Sequence, residues 1–142
     1  MRVGRVLIIA GSDSGGGAGI QGDIKTVTCL QGYAATAITA LTAQNTQGVF
    51  GIQDVRDAFI AQQIELVLSD IGADAIKTGM LHKASVIETV ASVIRDPSSV
   101  IPFVLDPVMF AKGGAALLEA GALSTLKALL VPLATIVTPN IP

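Results

Sequence analysis

Short apolar runs rich in valine and isoleucine alternate along the chain with longer segments of helical period. Val6–Ala10 reads as a strand, a glycine-rich turn follows, and a helix is expected from about Ala18 to Gln31. Ala34–Leu41 predicts a second strand. Asp54 then opens a helix as its N-cap, and Ile60, Ile64, Val67, Leu68 and Ile71 fall on one helical face. Ala73–Lys77 is a short strand. Ser85 and Glu88 form an S-x-x-E capping box, Ile87, Val90, Ala91 and Ile94 make the buried stripe behind it, and Asp96-Pro97 ends that helix. Phe103–Leu105 predicts a strand ending at Asp106-Pro107, and a glycine-containing loop leads to a helix near Ala122–Leu130. Thr135–Val137 is the fifth and last predicted strand. Such alternation predicts an α/β fold, a mostly parallel sheet flanked by helices. Ligands of such sheets sit at the carboxyl ends of the strands, so the polar residues just after each strand are the ones to read for function.

Composition narrows the classes. With 142 residues, 51% hydrophobic and 14% charged, the chain suits one domain with a real core and excludes disorder. A net charge of −2 with no basic run excludes the face that nucleic acid requires. One cysteine, Cys29, excludes a disulfide framework, and with one histidine, His82, a His/Cys metal site is not expected. The apolar run after Arg2 and Arg5 is too short for a secretion signal. The longest apolar stretch, Ala128–Ala134, contains Pro132 and falls far short of the roughly 20 residues of a membrane span. A soluble, cytoplasmic domain is the expectation. From Thr26 to Gln53 there is no formal charge; the segment reads as a buried helix–strand unit, with a neutral ligand pocket or a subunit contact at Gln44-Asn45-Thr46-Gln47 as the alternative.

Several motifs fail on inspection. Gly17-Ala18-Gly19-Ile20-Gln21-Gly22 satisfies G-x-G-x-x-G, but no acidic residue stands between Asp23 and Asp54 to hold a ribose, which argues against NAD. Gly72 to Thr78 has a lysine at position 77 but Ile76 where a phosphate loop needs glycine. Ser12-Asp13-Ser14-Gly15-Gly16 echoes a serine-protease nucleophile, yet the fold class is wrong and His82 reads as a surface-loop residue. The remaining chemistry is modest. Exposed N–H groups before the first helix can hold an anion or a polar ring. Asp23 can accept from an amine or hydroxyl, or simply favour the helix dipole. Gln44 offers a donor and an acceptor on one planar amide, as an aminopyrimidine edge requires. Asp106, held by Pro107, suits a metal–phosphate complex or a turn.

The stretches AGSDSGGGAGIQGDIKT (10–26), TALTAQNTQGV (39–49), KTGML (77–81), LDPVMFAKGG (105–114) and TPN (138–140) occur in the order and spacing of another group of proteins. Across its whole length the chain resembles hydroxymethylpyrimidine/phosphomethylpyrimidine kinase, a thiamine-pathway family of the ribokinase-like superfamily. The resemblance implies ATP- and Mg²⁺-dependent phosphorylation of 4-amino-5-hydroxymethyl-2-methylpyrimidine and then of its monophosphate. It implies that Gly11 and Ala18 line the pyrimidine pocket, that Asp23 and Gln44 bind the ring's amino and nitrogen edge, and that Met80 and Val108 pack on its faces. Asp106 then lies near the Mg–ATP phosphates, and Asn140 opens an N-x-x-E metal–phosphate motif. Pyridoxal kinases are close relatives, and the Gln44 segment favours the pyrimidine. A homodimer is a further expectation of the resemblance.

The sequence stops at Pro142, before the glutamate of that motif. Residues 1–142 are therefore expected to be the N-terminal substrate-binding portion of one kinase domain. The nucleotide-binding half would be absent, with its anion hole and its catalytic cysteine, which is not Cys29; Cys29 is expected in the core. The chain alone is expected to be inactive, with a non-catalytic pyrimidine-binding protein or a decayed kinase as the alternative.

Overall fold

A computed structural model describes residues 3–95, 100–111, 114 and 116–140. Five strands form one parallel sheet: β1 (Arg5–Ala10), β2 (Tyr33–Ile38), β5 (Ala75–Thr78), β6 (Phe103–Leu105) and β7 (Ile136–Val137), in the order β2-β1-β5-β6-β7. The chain leaves β1 to one side and later returns to its other side as β5. The strand order therefore reverses between β1 and β5, the position where open α/β sheets make a crevice. Each of the five predicted segments contributes a strand to this sheet, one of them only in part.

Helices α2 (Asp57–Leu66), α3 (Ala84–Ile94) and α4 (Ala122–Leu129) cover one face of the sheet. Leu7, Ile9, Ile60, Ile64, Ile76, Ile87, Val90, Phe103, Leu105 and Leu126 form the main core there. On the other face α1 (Gly19–Cys29) packs against β1 and β2 through Ile8, Ala10 and Ile20. Past α1 that face opens. Its register row runs Ile8, Lys77, Val104 and Ile136, and Ile136 is 55% exposed. The open half is what gives Lys77 room.

Five expectations need correction. Ala34–Leu41 is not one strand: β2 stops at Ile38, and β3 (Ala40–Asn45) departs to pair antiparallel with an unforeseen strand, β4 (Gly48–Asp54). Gln63 causes the break. Its Oε1 accepts the Ile38 N–H at 2.9 Å and its Nε2 donates to the Ile38 carbonyl at 3.2 Å, which ends the strand without an orphan backbone group. Thr39 then pivots, donating its N–H to the Ala10 carbonyl and its hydroxyl to the Met80 carbonyl. Asp54 closes β4 and does not cap α2, whose N-cap is Arg56. The S-x-x-E capping box does not form, since α3 begins at Ala84, one residue before Ser85. The uncharged segment 26–53 is not a buried unit: Phe50 is 71% exposed, and Cys29 also faces outward. The Asp96-Pro97 stop lies outside the described residues.

Replacing Gln63 with alanine leaves both Ile38 backbone groups without a partner and is expected to cost about 1–2 kcal/mol. Urea denaturation checks this, with exposed Gln62→Ala as the neutral comparison.

Candidate functional site

The cleft at the reversal point has a volume of about 430 Å³. Gly11 follows β1, Met80 follows β5, and Asp106 and Val108 follow β6; α1 supplies Asp23, and the β3–β4 hairpin supplies Gln44. Together with Ala18, these seven residues predicted from the sequence all line the one cleft. Asn140 does not. It is exposed beyond β7, although it sits at the same carboxyl edge of the sheet as Asp106. Two other clefts, lined by residues such as Val93 and Leu133 or Val27 and Leu30, open at the amino ends of the strands and are mainly apolar.

The glycine loop between β1 and α1 is built around its own anion. Asp13 is only 5% exposed. Its Oδ1 accepts the Gly15 N–H at 2.8 Å, and its Oδ2 accepts those of Gly17 and Ala18 at 2.9 and 2.8 Å. Its own N–H donates to Gln21 Oε1 at 2.7 Å. The amides that the sequence offered to an external anion at Gly15, Gly17 and Ala18 are therefore engaged by a carboxylate of the loop itself. This corrects the expected anion site, and it follows from electrostatics: three convergent N–H dipoles hold one buried negative charge.

One glycine is sterically required here, and another sets where the Met80 side chain lies. Gly19, at φ +56°, presses the start of α1 so close that a Cβ would stand 2.6 Å from the Gly11 carbonyl oxygen. A Cβ on Gly11 would stand 2.4 Å from Met80 Cε, so the floor of the cleft is the space that Gly11 leaves.

The serines of the protease-like stretch hold the hairpin. Ser12 Oγ accepts the Thr42 N–H at 3.0 Å, and the Thr42 hydroxyl donates to the Ser12 carbonyl at 2.8 Å. Ser14 Oγ donates to the Gln44 carbonyl at 2.6 Å and accepts the Gln44 N–H at 2.8 Å. A bulge between Ala43 and Gln44 shifts the register where Gln44 meets the cleft. Asn45 Oδ1 takes the N–H groups of Gln47 and Gly48 and closes the turn. His82 is engaged elsewhere. Its Nδ1 lies 2.9 Å from the Leu117 carbonyl oxygen and its Nε2 lies 3.9 Å from both Asp54 and Glu119, so the side chain is largely buried rather than on the surface.

Asp23 does not sit in the first turn of α1, which removes the dipole reading. Its Oδ2 lies 2.7 Å from Lys77 Nζ, which also stands 3.7 Å from Asp106 Oδ2. Burial pushes the Asp106 carboxyl above its ordinary value, the Lys77 charge opposes this, and the Asp23 charge adds to it. Lys77 and Asp13 are the cleft residues that sequence reasoning missed. In the sequence Lys77 reads as a failed phosphate-loop lysine, although its place at a strand's carboxyl end is a usable signal. Among the described residues no group of three or more His, Cys, Asp or Glu side chains could hold a metal ion, and no helix is long and apolar enough to cross a membrane.

A family model described as phosphomethylpyrimidine kinase matches residues 13–142. The chain is 56% identical to the thiamine biosynthesis bifunctional protein ThiED of Geobacter sulfurreducens over 139 residues, covering 98% of this chain and 28% of that protein. It superposes on the crystal structure of phosphomethylpyrimidine kinase from Clostridium difficile 630 with a TM-score of 0.90 at 45% identity, over 98% of this chain and 60% of that one. The pyridoxal kinase of Staphylococcus aureus in complex with AMP-PCP and pyridoxal matches with a TM-score of 0.83 at 36% identity, over 99% and 49%. The chain spans about half the length of the curated hydroxymethylpyrimidine/phosphomethylpyrimidine kinases it matches. With a ribokinase-like sheet, a cleft at its reversal point and a family match over nearly its full length, this chain belongs to the phosphomethylpyrimidine kinase family.

Proposed function

We propose that these 142 residues form the substrate-binding portion of a kinase that phosphorylates 4-amino-5-hydroxymethyl-2-methylpyrimidine and its monophosphate in thiamine biosynthesis. The observation that carries this reading is the convergence of Gly11, Ala18, Asp23, Gln44, Met80 and Val108 on one cleft beside Asp106. Asp23 and the Gln44 amide present acceptors and a donor that suit an aminopyrimidine edge. Met80 and Val108 supply apolar contacts of the kind a flat ring needs.

ATP and Mg²⁺ are the proposed co-substrate and metal. The cleft-wall carboxylate that follows β6 fits Mg²⁺, which is held by one or two carboxylates together with substrate phosphates and water. Asp106 is that carboxylate, and Asn140, on the adjacent strand's end, is the proposed second contact to the metal–phosphate complex. When bound with nucleotide, the ion supplies charge neutralisation to the transferred phosphoryl group. The purified 142 residues are expected to bind the pyrimidine without turning it over. The groups that stabilise transfer are then contributed by the part of the relatives that this chain does not span.

Calorimetric titration of the chain with the pyrimidine alcohol tests the reading. Gln44→Ala removes the in-plane donor–acceptor pair to the ring edge and is expected to weaken binding about 10- to 100-fold. Binding that is absent in the wild-type chain, or indifferent to Gln44, overturns the proposal.

A further inference from the structure

We infer that Lys77 decides how the cleft treats the two successive substrates, the neutral alcohol and the anionic monophosphate. This deepens the proposed function and rests on it. Lys77 sits on β5 between Ile8 and Val104 in the register row that α1 leaves open, so its stem crosses apolar surface and its ammonium reaches the cleft. Nζ stands between the carboxylate proposed to read the ring and the one proposed to face the phosphates, at 2.7 Å from Asp23 and 3.7 Å from Asp106. The side chain is 24% exposed, buried enough for its charge to be weakly screened. An ammonium has three donors; Asp23 takes one at 2.7 Å, and the 3.7 Å contact with Asp106 is too long to take another, so donors remain for a ligand.

The charges around the cleft make this donor matter. Asp13 is satisfied by the loop amides. Asp23 and Asp106 remain, and Lys77 is the only cation among the described residues that line the cleft. A neutral alcohol meets a wall with one uncompensated negative charge and loses little. A phosphate ester brings about −1.5 to −2 charges of its own and needs a cation within contact distance. Without Lys77 that ester would face two carboxylates and no counter-charge among the described cleft residues. Lys77 therefore sets the ratio of the two affinities rather than either affinity alone.

The test measures dissociation constants for the alcohol and the monophosphate by calorimetry on the same chain, without nucleotide or metal. Lys77→Met is expected to shift the ratio of the two constants against the monophosphate by about tenfold or more. Lys77→Arg, which keeps the charge, is expected to hold the ratio near the wild-type value. Lys77→Gln carries the comparison if circular dichroism shows the methionine variant unfolded. An unchanged ratio in the uncharged variants overturns the inference, as does a wild-type chain that binds the alcohol but not the monophosphate. In both cases Gln44-dependent binding of the alcohol leaves the proposed function standing. A wild-type chain that binds neither overturns both.

Discussion

Asp13→Ala is expected to lower stability by about 2–3 kcal/mol and to abolish binding of the pyrimidine. Among the described residues the carboxylate alone ties together the N–H donors of Gly15, Gly17 and Ala18, and removing it leaves three convergent dipoles without their shared acceptor. These amides sit in a loop that water can reach, so solvation limits the loss of stability. The geometry is a different matter, because Ala18 and the Ser14–Gln44 contact depend on that loop. Asp13→Asn is expected to fall between wild type and alanine. Oδ2 accepts two N–H groups and Oδ1 one, whereas an amide offers an acceptor on one side only. Formate added in excess to Asp13→Ala is expected to restore part of the binding by taking the vacated carboxylate position. Urea midpoints and titration with and without formate check the set. Wild-type binding in the alanine variant would show that the loop holds its shape without this anion.

Gly19→Ala is expected to be comparably severe, at about 2–4 kcal/mol. Its φ of +56° disfavours any residue with a Cβ, and the added carbon would stand 2.6 Å from the Gly11 carbonyl oxygen. That atom is backbone and accepts the Ile20 N–H at 3.0 Å, so it cannot move aside without opening the start of α1. Gly22→Ala is the comparison, because its Cβ would stand 3.3 Å from the Gly17 oxygen and Gly22 lacks a positive φ. The two thermal midpoints should separate clearly. Equal midpoints would show that α1 can retreat from the sheet at no cost.

Part of the site was legible in the sequence: Asp106 directly follows a predicted strand, where such sheets hold ligands, whereas Gly11, Ala18, Met80 and Val108 came from the family resemblance. Gly11, Met80, Asp106 and Val108 each stand within a few residues of a strand's carboxyl end. Asp23 and Gln44 were legible from side-chain chemistry and place, an acceptor one turn into the expected first helix and a planar amide after the second predicted strand. Asp13 was not reachable in the same way. Ser12-Asp13-Ser14-Gly15-Gly16 looks like a nucleophile sequence, and only the folded loop shows the carboxylate turned back on its own amides.

The strands and helices themselves came from period and punctuation. Ile60 and Ile64, or Ile87, Val90 and Ala91, are buried because their spacing places them on one face, and any fold with that helix must cover that face. Tertiary structure decided the points where one distant group overrides a local pattern. Ala34–Leu41 is uniformly suited to a strand, yet Gln63, far along the chain, ends it at Ile38 and sends Gln44 over the cleft. Lys77 reads as a polar interruption in a short apolar run until α1 and β6 bring Asp23 and Asp106 to its ammonium. Periodicity is set by neighbours a few residues away and is written in the sequence. Hydrogen bonds and charges between elements depend on which elements meet, and the sheet order of this chain settles that.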